Sequence, residues 1–93
     1  IGHVRDREFQ RGNYDLAFQT IDGLYAKFTA SMNARNQKLI REDADISSGR
    51  VKMSPKDLLA KRARDRKQTQ EVDRARRRFQ VVLEGLRVLM NAT

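Results

Sequence analysis

The sequence predicts an all-α protein: a long antiparallel helical hairpin with coiled-coil-like packing, which a second copy or a partner chain completes into a helical bundle. Three observations predict this fold. Two long segments carry large apolar residues at intervals of three and four, as on one face of an α-helix. A polar stretch with Ser47, Ser48 and Gly49 separates them. No segment alternates with the period of two that is typical of strands, so we expect residues 1–93 to form one helical module.

The chain begins with an expected N-terminal arm, residues 1–12, followed by a first helix, residues 13–42. Gly12 separates the two, and the Asn that follows it is a preferred helix N-cap. Arg35 and Glu42 occupy apolar-stripe positions, so the pattern weakens toward the end of this helix. The stripe itself consists of Tyr14, Phe18, Ile21, Tyr25, Phe28, Met32 and Leu39.

A connecting loop, residues 43–54, leads to a second helix, residues 55–91. The start of this helix is well marked, because Ser54 can cap it, Pro55 suits its first position and Asp57 stands where a capping box has an acid. The stripe of the second helix is Val72, Ala75, Phe79, Val82, Leu86 and Leu89.

The two stripes also predict how the helices align. A fold point near residue 48 would place Phe18 opposite the region of Phe79, and Tyr25 opposite the region of Val72, in an antiparallel pair. Large side chains would then face each other along both helices. This agreement between two separately identified segments supports the hairpin.

The end of the second helix carries more apolar surface than one neighbouring helix can cover. Val81 and Val88 lie nearly opposite the stripe, so the last turns are apolar almost all round. The candidates for covering them are the arm, through Ile1, Val4 and Phe9, a second copy, or a different helical protein. The predicted assembly interface comprises Phe9, Tyr14, Phe18, Ile21, Tyr25, Phe28, Phe79, Val81, Val82, Leu86, Val88 and Leu89.

The net charge of +8 is concentrated in one stretch. Residues 1–46 carry seven basic and seven acidic side chains, whereas residues 50–78 carry twelve and four. Such asymmetry indicates a solvated helix face, an acidic protein partner, nucleic acid or a membrane surface. Asp57 with Lys61 and Asp73 with Arg77 have the spacing of helical ion pairs, which would neutralise part of the excess. The expected contacts to an anion or a nucleic-acid backbone are Lys61, Arg62, Arg66, Lys67, Arg74, Arg77 and Arg78.

The composition offers little for catalysis. There is no Cys, His3 is the one histidine, and the five glycines are scattered instead of forming a phosphate-binding loop. We therefore expect no catalytic, cofactor-binding or metal-binding residues, no small-molecule substrate and no transmembrane segment. The leading hypothesis is a non-enzymatic, intracellular protein–protein assembly module that binds itself or another helical protein. The alternative is a module that binds the phosphate backbone of RNA or DNA through its basic second helix.

Overall fold

The computed structural model describes the backbone of residues 2–92 and the side chains of residues 6–92. It is an all-α helical hairpin, in which α1 spans Gly2–Ser47 and α2 spans Pro55–Ala92. Residues 48–54 connect the helices, and no strand occurs between residues 2 and 92. Ile1 and the side chains of His3 and Val4 fall outside the described part, so the structure does not test the roles expected of them.

The first helix is longer at both ends than the sequence predicts. The expected arm is helical from Gly2 onward, because Gly12 lowers helix stability by only about 1 kcal/mol and does not interrupt the backbone hydrogen bonds. The helix also continues beyond Glu42 to Ser47. Leu39, Glu42 and Ile46 are all half-buried at intervals of three and four, so this last part of α1 still faces α2. Contacts with α2 therefore override the polar composition that predicted a loop.

The connection is compact, and glycine is needed at one position in it. The amide of Ser48 donates to the carbonyl oxygen of Ala44 at 2.9 Å, and Gly49 follows with a φ of 79°, a conformation that L side chains rarely adopt. The predicted start of the second helix is confirmed. The amide of Asp57 donates to the hydroxyl oxygen of Ser54 at 3.2 Å, and the helix begins at Pro55.

The chain forms two compact units, each containing a piece of both helices. We call residues 28–74 the loop unit, and residues 1–27 together with 75–93 the terminal unit. In the loop unit, polar side chains join α1 to α2. In the terminal unit, aromatic side chains do so: the rings of Tyr25 and Phe79 meet edge to face, with centroids 5.5 Å apart.

The alignment of the helices differs from the predicted one. Tyr25 faces Phe79, and the Phe18 ring lies 5.7 Å from the guanidinium carbon of Arg87. The predicted pairs were Phe18 with Phe79 and Tyr25 with Val72. The difference has a simple cause: α1 continues to Ser47, so the fold point lies closer to the C-terminus than the predicted loop placed it.

Neither unit contains a closed apolar core. Among the described residues, Lys61 is the one buried side chain, at 8% exposure, and no apolar side chain is buried. The stripe residues are half-buried, except for Val82 and Leu89 of α2, which are exposed. One neighbouring helix covers part of an apolar face but cannot enclose it.

Candidate functional site

The buried ammonium of Lys61 is the electrostatic centre of the loop unit. Its Nζ lies 2.7 Å from Oδ2 of Asp65 on the same helix and 3.0 Å from Oε2 of Glu42 on α1. The hydrogen bond to Asp65 is the main cause that raises the pKa of Lys61, the hydrogen bond to Glu42 adds to it, and burial opposes both. Two carboxylates thus hold one cation between the helices.

This arrangement corrects two predictions about Lys61. The sequence spacing paired it with Asp57, but its partners are Glu42 and Asp65. It was also expected to contact phosphate, whereas its ammonium is buried and already bound to carboxylates. We therefore remove Lys61 from the predicted set of anion contacts.

Arg35 provides the second polar connection of the loop unit. Its Nε donates to Oε1 of Gln68 at 2.9 Å. Its Nη2 donates to the carbonyl oxygen of Asp65 at 3.0 Å and to Oγ1 of Thr69 at 3.1 Å. One guanidinium on α1 therefore holds three acceptors on α2, the fork geometry that arginine favours. The charged residues that weaken the apolar stripe in the sequence are the ones that join the helices here.

The other predicted anion contacts are exposed. In the loop unit these are Arg62, Arg66, Lys67 and Arg74, and in the terminal unit they are Arg77 and Arg78. None of the six forms an ion pair with another residue between positions 6 and 92. Within each unit, these side chains can meet an anion without first breaking an internal ion pair.

The predicted assembly interface divides into two sets. Facing the other helix, and half-buried, are Tyr14, Phe18, Ile21, Tyr25, Phe28, Phe79 and Leu86. Exposed to solvent are Phe9, Val81, Val82, Val88 and Leu89. Val81 and Val88, which the sequence places opposite the stripe, are 71% and 57% exposed. The first set packs the hairpin, and the second set is available for contact outside it.

Two exposed leucines of the terminal unit are missing from the predicted interface. Leu16 and Leu24 on α1 are 64% and 47% exposed. With Phe9 they follow spacings of seven and eight, which places the three on one side of a helix. The sequence contains this second row, but the longer aromatic stripe of the same helix masks it.

The exposed α1 row lies on the same side of the terminal unit as the exposed residues Val82 and Leu89 of α2. Successive residues are rotated by about 100° around the axis of α1. Leu24 therefore lies on one side of Ile21, whereas Phe18 and Tyr25 lie on the other side. Arg87 reaches Phe18, and Gln80 reaches the Tyr25 hydroxyl, on that second side.

The side of the terminal unit on which Leu24 lies is apolar. A shallow groove there is lined by Ile21 of α1 and by Ala75, Phe79 and Val82 of α2, with Arg78 at its edge. We call this side the open face. Its exposed apolar residues are Phe9, Leu16, Leu24, Val82 and Leu89, whereas Val81 and Val88 lie on a separate surface on the back of α2.

Other kinds of site find no support in the described part of the chain. No three His, Cys, Asp or Glu side chains there are grouped so that they could hold a metal ion. Neither described helix has an apolar stretch long enough to cross a bilayer. Comparison with known proteins gives no matching family model, curated protein or solved structure.

Proposed function

We propose that this chain is a helical assembly module that docks the open face of its terminal unit against another helical surface. The supporting observation is the lack of any buried apolar side chain among the described residues, combined with the five large exposed apolar residues of the open face. The proposal assigns no catalytic role to the chain. The same face serves whether the partner is a second copy or a different helical protein.

The physical argument concerns stability. Long helices derive most of their stability from packing an apolar face, not from intrinsic helix propensity. In the terminal unit, packing against α2 leaves Phe9 and Leu16 of α1 more than half exposed. Covering such side chains contributes about 25 cal/mol for each Å² of apolar surface removed from water. Contiguous exposed apolar surface of this kind is typical of protein–protein interfaces.

Matched leucine variants test the proposal. Leu16→Glu places a charge on the open face, whereas Leu59→Glu changes a leucine of similar exposure, 69%, in the loop unit. We expect Leu16→Glu to weaken association at least about tenfold, because a buried carboxylate without a partner is costly, and Leu59→Glu to leave it unchanged. Sedimentation equilibrium over a concentration series measures both. Equal behaviour of the two variants would contradict the proposal.

A second candidate function is binding of a nucleic-acid backbone. Exposed basic side chains without internal ion pairs favour it, and four of them, Arg62, Arg66, Lys67 and Arg74, belong to the loop unit. The contacts would be with phosphate, so binding would be tolerant of sequence and strongly dependent on salt. The half-buried aromatic residues of α1 face α2, so stacking on bases has no support.

A salt titration tests this candidate. Affinity for duplex RNA or DNA should fall steeply as salt rises, with a slope of about 0.9 per phosphate contact on duplex DNA. Arg66→Gln should reduce that slope by about one, and Lys61→Gln should not change it, because Lys61 is held by carboxylates. Binding that is absent at low salt, or indifferent to salt, would reject the candidate.

A further inference from the structure

One row of residues on α1 has an acid at one end and a base at the other. It runs along the open face at intervals of three and four and occupies an arc of about 80°. All of its members are exposed. The row consists of Asp6, Phe9, Asn13, Leu16, Thr20, Leu24 and Lys27.

The order of these residues makes the row complementary to itself in the reverse direction. An antiparallel copy centred between Leu16 and Ala17 places Asp6 opposite Lys27, Phe9 opposite Leu24 and Asn13 opposite Thr20. Acid then meets base at both ends, and apolar meets apolar between them. A parallel copy in register places acid on acid and base on base. Neither Asp6 nor Lys27 forms an ion pair with another residue between positions 6 and 92.

We infer that the partner on the open face is a second copy of this chain, with the two α1 helices antiparallel and Asp6 of each beside Lys27 of the other. The inference rests on the proposed assembly function and names its partner. An interface of this kind is isologous, because each contact occurs twice around a twofold axis.

The position of α2 agrees with this arrangement. Phe18 lies beside Arg87 and Tyr25 beside Phe79, so Leu16 is level with Val88 and the residue after it. The twofold axis therefore crosses the terminal unit where both helices present large apolar side chains on the open face. The residue of α2 that lies both at this level and on the open face is Leu89, so the same rotation places Leu89 of one copy nearest to Leu89 of the other. The product is an antiparallel four-helix arrangement.

Two glycines supply a separate observation. Gly12 and Gly23 lie beside the row on the same edge of α1, and a Cβ atom at either would meet no heavy atom within 4 Å. The packing of the hairpin therefore does not require glycine at these positions. In the antiparallel pair Gly12 of one copy lies near Gly23 of the other, where two missing side chains allow the helices to approach closely.

Charge reversal tests the pairing. We expect Asp6→Lys and Lys27→Asp to weaken self-association about tenfold each, because each change creates two like-charge contacts per dimer. An equimolar mixture of the two variants should regain the wild-type affinity, and so should the double variant. Asp22→Lys is the matched control, since it makes the same change in charge at an exposed acid of α1 outside the row. Circular dichroism checks that the helices remain intact.

The outcomes separate this inference from the proposed function. Single variants that behave like Asp22→Lys would overturn the antiparallel pairing, while a continued difference between Leu16→Glu and Leu59→Glu would leave the assembly function standing. If Leu16→Glu and Leu59→Glu associate equally well, both the assembly function and the antiparallel pairing would be overturned. A wild-type chain that stays monomeric at every concentration would also overturn pairing with a second copy.

Disulfide trapping gives an independent measurement of direction. The chain has no native cysteine, so introduced thiols form the one possible disulfide. Asp6→Cys mixed with Lys27→Cys should give a crosslinked dimer containing one chain of each variant. Each variant alone should stay uncrosslinked. Crosslinking of Asp6→Cys with itself would indicate parallel helices and overturn the inference.

Discussion

The loop unit and the terminal unit use different forces to hold the same two helices. In the loop unit, Lys61 and Arg35 connect α1 to α2 through an ion pair and hydrogen bonds of 2.9 to 3.1 Å. In the terminal unit, the contacts are an aromatic edge-to-face pair, a guanidinium over a ring and a long hydrogen bond from Gln80 to Tyr25. Polar side chains therefore join the helices in the loop unit, whereas the terminal unit has more large exposed apolar residues, seven against four.

The difference suggests a division of roles. Hydrogen bonds and ion pairs have strict geometry, so Arg35 and Lys61 favour one alignment of the helices over others. Apolar contacts are less directional, and their strength depends on the area removed from water. The terminal unit, which has more exposed apolar side chains, can therefore gain more stability from a partner than the loop unit can.

Removing the Lys61 ammonium should give the largest effect on the loop unit. Lys61→Met leaves Glu42 and Asp65 facing each other without a cation, and we expect a loss of about 2 kcal/mol in the free energy of unfolding. Urea denaturation measures this loss. Lys56→Met, at an exposed lysine of the same helix, should change stability little. Equal losses in the two variants would contradict the structural role of Lys61.

Filling the glycine positions should have opposite effects on helix stability and on association. Gly12→Ala and Gly23→Ala should each stabilise α1 by about 1 kcal/mol, because a Cβ atom there meets no neighbour within the hairpin. The same changes should weaken self-association by keeping the helices of two copies apart. Thermal unfolding at low concentration measures the first effect, and sedimentation the second. Stronger association in both variants would exclude close approach at these glycines.

The smallest expected effect near neutral pH concerns the titration of Lys61. Its pKa in the folded chain is raised above the ordinary value of 10.5, so its stabilising contribution is complete below that pH and is lost as the pH rises through the raised pKa. Wild type should therefore lose more stability than Lys61→Met between pH 10 and 12, and the gap between the two should stay constant between pH 6 and 9. Urea denaturation across this range measures the gap. If the stability difference between wild type and Lys61→Met instead widened with rising pH, the raised pKa of Lys61 would be contradicted.

Local signals in the sequence were sufficient to predict where α2 begins. Ser54, Pro55 and Asp57 act within one helical turn, and the helix begins at the predicted residue. The all-α hairpin was predictable for a similar reason, because the spacing of the apolar residues reflects helix geometry directly.

Features that depend on the opposite helix were not predictable in the same way. The composition after Glu42 indicates a loop, but Glu42 meets a lysine from α2 and the helix continues to Ser47. This added length changes the alignment of the whole hairpin, so the predicted partner of Phe18 was wrong. Arg35 looked like a weak point of the stripe because its three acceptors lie 30 to 34 residues away along the chain.

The candidate surface was predictable in part. Val81 and Val88 lie on the back of the α2 stripe in the sequence, and both are exposed in the structure. Leu16 and Leu24 were missed because a helix can carry two apolar rows, and only the position of the second helix shows which row stays exposed. Whether the basic side chains bind an anion depends on a partner, and that part stays a prediction.

The environment of Lys61 has a consequence for chemical reactivity. Acylating reagents attack the neutral amine, and an ammonium held between two carboxylates in a buried position is rarely neutral and hard to reach. Exposed lysines such as Lys56 and Lys67 should react quickly, and Lys61 should react last. Mass spectrometry of a briefly acylated sample would then report whether the loop unit is closed, without any engineered label.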